Sequence, residues 1–441
     1  MSVAESRAKS AALLTLLDGL RELRGAVSNR LGAFFVPGRI ELAGKHTDYA
    51  GGRSLVCAIE RGISMLAVPR SDSQVYIRDA RRGLEARFSL DGNAESVPRD
   101  WSNYALTVAR RMARDVPSAR NGADILFTSD LPLASGMSSS SALIVAVFFA
   151  LAEANSLSHT DFFRSFIHSQ EDLALYLSAI ESGAPFGSSS ETRGVGTLGG
   201  SEDHVAIVCS RAGSLRQYSY CPIRLEREIH LPETCVFVIA VSGVEADKTG
   251  NALESYNRAS RAVRKILELW RDATGRDDQS LAAVLASASD ASGRLRRILS
   301  KSAAAGFPPE FLLNRLAQFA EESNELVPGL SAALENADLQ SAGGLTDRSQ
   351  RLAETLLGNQ TPETVELARS ARTLGAAAAS GFGAGFGGSV WALVMSEQAE
   401  NFRNRWAAHY HERYPSRVQA SQFLITRAGP GVVQFRPPSP D

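Results

Sequence analysis

Eleven consecutive apolar residues run from Ala142 to Ala152. The run is far too short to cross a bilayer, so the chain has to bury it, and its length predicts a helix from Ala142 to about Asn155 inside a folded core. Directly before it stands Leu131-Pro-Leu-Ala-Ser-Gly-Met-Ser-Ser-Ser-Ser141. Four serines ahead of a buried helix supply caps and hydroxyls beside the free N–H groups and positive dipole end of the helix. That geometry holds phosphate groups. The loop lacks the Gly-Lys-Ser/Thr ending of a Walker A motif. Taken alone, it also reads as a serine-rich cap with no ligand.

The 441 residues are too many for one ordinary core and predict two domains, with the change placed near residue 215: 1–215 and 216–441. Hydrophobic residues make up 44% and charged residues 22%, a balance that excludes a disordered chain. With a formal net charge of −1 there is no bulk attraction to nucleic acid or to an anionic membrane. Cys57, Cys209, Cys221 and Cys235 stand in no metal-ligand spacing and read as reduced thiols, and no signal-peptide pattern opens the chain, so a cytoplasmic protein is expected.

Ala11–Leu23 has helical spacing, Ala33–Val36 predicts a strand ending at Pro37-Gly38, and 54–59 and 63–68 predict two strands around a turn. Helices are expected over 104–116 and most of 280–372, the latter broken at Gly306 and at Val327-Pro-Gly. Strands are expected over 123–127, 236–241 and 389–395. Two further loops carry candidate chemistry. Pro37–Gly52 crowds Arg39, Lys45, His46 and Asp48 between glycines just after a buried strand. Ser380–Ser389 is glycine-rich, which lets main chain approach a ligand or another backbone closely.

In this order and spacing the three loops resemble the signature motifs of the GHMP kinase superfamily. Gly38-Arg39 followed by Gly44-Lys-His-Thr-Asp-Tyr49 is similar to the galactokinase signature GR-x-N-L-x-GEHTDY, and Trp101-Ser-Asn-Tyr104 is similar to its W-x-N-Y segment. Leu198–Cys209 resembles the L-G-x-x-D-H-A-L-L-x-D-C strand. The resemblance implies an α/β (α+β) fold of two domains with the active site in the cleft between them. It implies an ATP- and Mg²⁺-dependent kinase that phosphorylates the anomeric C1 hydroxyl of galactose or a related aldose, as a monomer or weak homo-oligomer. Two alternatives stand beside it: a non-catalytic sugar and ATP sensor, or a kinase acting on a non-sugar alcohol.

Residue by residue, the resemblance assigns ATP to Trp101, Ser135, Gly136 and Ser138, Ser139, Ser140 and Ser141. It assigns Mg²⁺ to Ser140 and Glu181, and charge stabilisation on the transferred phosphoryl to Arg39. His46 and Asp48 would hold sugar hydroxyls. The family's G-I-M-D-Q segment carries the aspartate base about ten residues before its D-H pair, and counting back from Asp203-His204 reaches Ser190–Arg193, where no aspartate stands. Glu191 becomes the expected base and Asp203 the reserve; some superfamily members also manage without one. Lys45 replaces the family's Glu, Glu41 its Asn, and Arg193 its Gln. Lys45 and Arg193 would then suit an anionic sugar; alternatively, Lys45 pairs with Glu41 and a neutral sugar binds.

Overall fold

The computed structural model describes residues 1–25, 30–91, 95–97, 100–245, 253–304 and 306–435. The predicted first helix forms as Val3–Arg24, starting earlier than its apolar spacing because Ser2 caps it through its side chain. Strand β1, Gly32–Ala43, does not stop at Pro37-Gly38. It runs on antiparallel to β2, Arg53–Pro69, with register shifts after Pro37 and after Glu41 that absorb the proline. The two predicted strands over 54–68 are thus one, because Gly62 pairs with Pro37 across the ladder and makes no turn. Arg39 and Glu41 consequently sit on a rigid, wholly buried strand.

Strands β3 (Gln74–Asp79), β4 (Leu84–Ser89) and β5 (Ala123–Ser129) extend this sheet, with β3 and β5 parallel. So do the hairpin β6 (Ser214–Ser219) and β7 (Arg224–His230) on β2. A boundary at 215 falls inside β6, and so divides a paired strand. The second sheet is β8 (Cys235–Val241), β9 (Ala378–Gly381), β10 (Ser389–Met395) and β11 (Gln422–Thr426), in the order β11-β8-β10-β9 and antiparallel throughout. The chain then returns to the first sheet with β12 (Ala428–Gly429) on β2 and β13 (Val433–Phe435) on β1. The sheets therefore divide near residue 232, and the tail ties the second half to the first.

The apolar run forms the helix Ser139–Asn155, buried without interruption from Ser141 to Phe148 in the core it shares with β1 and β2. In the second sheet the period-two pattern separates two cores. Val236, Val238 and Ala240 pack under Trp406 and Tyr410, while Phe237, Ile239 and Val241 face the main core. Val327-Pro-Gly breaks nothing. A π-helical turn, Glu322–Leu326, leads straight into the helix Val327–Glu335, with Val327 N bonded to Glu322 O, so the wider turn falls directly before Pro328. Among the described residues no helix is long and apolar enough to cross a membrane.

Candidate active site

The serine run enters its helix through a left-handed Ser138 (φ 59°) with no side-chain cap, so the first N–H groups of the helix stay open. The Ser138 hydroxyl is buried without a partner. One face of this turn borders a cleft of about 950 Å³, where Gly136, Ser138, Ser139 and Ser140 meet Trp101, Tyr104, Phe127, Leu133 and Leu143. The Trp101 and Phe127 ring centroids lie 6.0 Å apart. A flat apolar slot opening onto free helix N–H groups suits a nucleotide, base inward and phosphates at the dipole. The Ser135 hydroxyl does not reach this cleft, because it donates to Pro132 O at 2.7 Å and closes the loop on itself.

Ser141, one residue further, faces the other way. Its hydroxyl donates to Glu181 Oε2 at 2.7 Å, at the end of the helix Gln170–Ser182. Glu181 is thus partnered by Ser141, where Ser140 was expected. His204 Nε2 lies 3.2 Å from the same carboxylate. These groups line a second cavity of about 540 Å³ together with Arg39, His46, Asp48, Glu202 and Asp203. No group of three His, Cys, Asp or Glu among the described residues is arranged to hold a metal ion by itself.

Arg39 joins the two cavities. Its Nη1 donates to Gly136 O at the start of the serine loop, and its Nε and Nη2 lie 2.7 and 2.6 Å from Asp203 Oδ1. Burial lowers the affinity of the guanidinium for its proton, but the carboxylates of Asp203, Glu202 and Glu41 outweigh it and raise the pKa. Burial also raises Asp48, against the N–H groups of Glu202 and Tyr49 that stabilise its carboxylate. Glu202 N donates to Asp48 Oδ2 at 3.1 Å. At Gly200 a Cβ would stand 2.2 Å from that same oxygen and 2.8 Å from Tyr49 N, so a side chain there would displace Asp48. At Gly383 (φ 74°) a Cβ would stand 2.8 Å from Gly136 O, so the glycine-rich loop also closes against the serine loop.

His46 bonds Tyr49 OH (3.0 Å) and Ala384 O (3.1 Å) through its two ring nitrogens, and its ring lies 5.5 Å from that of Tyr256. Tyr256 lines the cavity from the helix Leu253–Thr274 and was absent from the sequence expectations. No motif marks it; only the fold brings it there.

Three expected site residues lie elsewhere. Glu191 is exposed, its carbonyl held by Arg114, and Arg193 is exposed on a separate groove with Arg110. Lys45 is 1% exposed but turns away from the cavity, donating to Ser349 Oγ at 2.9 Å. The strand expected over Leu198–Cys209 is instead the helix Glu202–Cys209, with Glu202 and Asp203 at its positive end. Gly200-Ser-Glu-Asp203 has the G-x-x-D spacing of the G-I-M-D-Q segment, and Cys221 stands two residues past the end of β6. Asp203, held in reserve, is the carboxylate beside Arg39.

Residues 23–69 match the galactokinase galactose-binding signature, 103–190 the GHMP kinase N-terminal domain and 330–412 the GHMP kinase C-terminal domain. A galactokinase of Chloroflexus aggregans is 29% identical over 405 residues, covering 90% of this chain and 91% of that one. A galactokinase of Roseiflexus sp. is 28% identical over 400 residues, covering 90% and 91%. The crystal structure of Lactococcus lactis galactokinase complexed with galactose superposes with a TM-score of 0.78 at 23% identity, covering 96% of this chain and all of that one. A mevalonate kinase structure reaches a TM-score of only 0.52 at 13% identity, covering 90% and 98%. The chain is a galactokinase-like member of the GHMP kinase superfamily.

Proposed function

We propose that the chain is an ATP-dependent sugar kinase that phosphorylates the C1 hydroxyl of galactose or a related aldose in the cytoplasm. The observation that carries the reading is the contact of Arg39 with both Gly136 O and Asp203. It sets one cation between a phosphate cradle and a carboxylate that can take a proton. Asp203 accepts the proton of the sugar hydroxyl as its oxygen bonds to the γ-phosphorus; the bond from that phosphorus to the β–γ bridging oxygen breaks, and ADP leaves with its electrons. Arg39 and the helix N–H groups stabilise the negative charge that shifts onto the phosphoryl and the leaving oxygen.

Glu181 and the Ser141 hydroxyl are suited to Mg²⁺, which normally takes one or two carboxylates and completes its shell with water and substrate phosphates. The ion would neutralise phosphate charge. Four free cysteines support a reducing compartment. Ser138, Ser139 and Ser140 lining the nucleotide cleft favour turnover over a sensor role.

The test is ADP release with ATP, Mg²⁺ and a panel of aldoses, mevalonate and homoserine, with the sugar phosphate identified by mass and by its lost reducing end. ADP release with a non-sugar alcohol alone, or none with any acceptor, removes the proposal. Trp101→Ala should raise the KM for ATP roughly tenfold by removing the wall of the base slot, and should raise it more than the KM for sugar. An unchanged KM for ATP would place the base elsewhere.

A further inference from the structure

The cavity beyond Arg39 has the opposite charge from the one its sequence led us to expect. Lys45 and Arg193 are not in its wall; Glu41, Asp48, Glu181, Glu202 and Asp203 are, and Arg39 is the only lysine or arginine among the lining residues. His46 and His204 are the other groups there able to carry a positive charge. A carboxylate-bearing sugar would meet net repulsion. Asp203 is engaged by Arg39, Glu181 by Ser141, and Asp48 by the Glu202 N–H.

Glu41 differs. It stands where the family pattern has asparagine, and it is 2% exposed. One carboxylate oxygen accepts from Gly383 N at 3.1 Å, whereas Oε1 is buried with no partner. An orphaned acceptor on a cavity wall costs its full desolvation unless a ligand donor meets it. Glu202, 6% exposed, lines the same wall. Burial, then mutual repulsion, holds Glu202 well above the ordinary carboxylate range; burial raises Glu41 to about 7, with Lys45 and Arg39 opposing the rise. The cation they share is Arg39, whose short contacts go to Asp203 and Gly136 O; an ammonium with three donors would supply a second.

We propose that the preferred substrate is an aldose carrying a free amine, its ammonium seated between Glu41 and Glu202. Glu41 lies two residues from Arg39 on the same face of β1, and Glu202 adjoins Asp203 at the start of its helix, so both stand at the reacting end of the cavity. The amine therefore belongs on the carbon beside the phosphorylated one, as in a 2-amino-2-deoxyhexose. This inference rests on the sugar-kinase reading.

The experiment measures kcat/KM at pH 7 with ATP and Mg²⁺ for galactose, glucose, their 2-amino-2-deoxy forms, the N-acetylated forms and galacturonate. The better free amine should exceed its matched neutral sugar by roughly tenfold or more, and N-acetylation should erase the gain. Glu41→Asn, with Glu202→Gln as second variant, should cut the amine-to-neutral ratio about tenfold by raising the KM for the amine. The inference is overturned if the neutral sugar equals or surpasses its amine, if the N-acetyl form matches the amine, or if folded variants keep the ratio. Turnover of neutral sugars with no amine preference overturns this inference alone. No turnover of any sugar overturns the kinase reading along with it. Should both variants melt, the wild-type comparison of amine with N-acetyl form decides by itself.

Discussion

Asp203→Asn is expected to lower kcat by about two to four orders of magnitude, the usual worth of a positioned general base. The substitution keeps the size of the side chain and one acceptor oxygen for Arg39, but an amide cannot take the hydroxyl proton. It also points a neutral group at a buried guanidinium that now has two short contacts to a carboxylate. Arg39 keeps its bond to Gly136 O, so ATP should still bind and the KM for ATP should move little. Glu191→Gln is the matched control. Its carboxylate is exposed and outside the cavity, so turnover should stay within about twofold of wild type, as for an ordinary surface change. The reverse pattern, with Asp203→Asn active and Glu191→Gln dead, would reject Asp203 as the base.

The reason the sequence pointed to Glu191 is instructive. Asp203-His204 mimics a D-H pair that belongs to a strand, and Val205–Cys209 is apolar enough to be that strand. A short apolar run surrounded by core looks the same as helix or strand, because burial on all sides erases the period. What separates them is charge at the start: Glu202 and Asp203 sit favourably at a helix N-terminus and would be costly in the middle of a sheet. Cys221, just past β6, was a second available signal, since a motif closing there in place of Cys209 lies twelve residues later.

Other parts were legible for physical reasons that act locally. Ser139–Asn155 follows from one apolar run, and the nearness of Arg39 to its N-terminus followed from the motif order. Tyr256 and the direction of Lys45 were not legible. Each depends on residues far along the chain. His46 O and Lys45 O are held by Arg315 and Gln318 of the helix Pro309–Glu321, and Glu322 takes the N–H of Gly44 at 2.8 Å. A loop clamped from nearly 280 positions away shows no trace of that clamp in its own sequence.

Lys45→Met should therefore act on stability, with an expected loss of roughly 3–5 kcal/mol, the cost of stranding a buried charge without its partner. Lys45 Nζ donates to Ser349 Oγ, which donates in turn to Glu322 Oε1 at 2.7 Å, and Glu322 is wholly buried with its other oxygen unpartnered. Methionine fills the volume but removes the positive charge that faces both Glu322 and Glu41. Glu41 already binds its proton too tightly in the folded state, at about 7, so it takes stability away as pH rises from the ordinary carboxylate range through that value. The groups facing it are Lys45, Arg39, Glu322 and Glu202. Without Lys45 its proton is held more tightly still, so the decline should continue to higher pH and the variant should be weakest on the alkaline side. Urea midpoints at pH 5, 7 and 9 measure this directly. Glu322→Gln added to Lys45→Met should restore a large part of the loss, because the two charges are coupled. A Lys45→Met protein as stable as wild type, with a sharply raised KM for sugar, would instead return Lys45 to the sugar cavity.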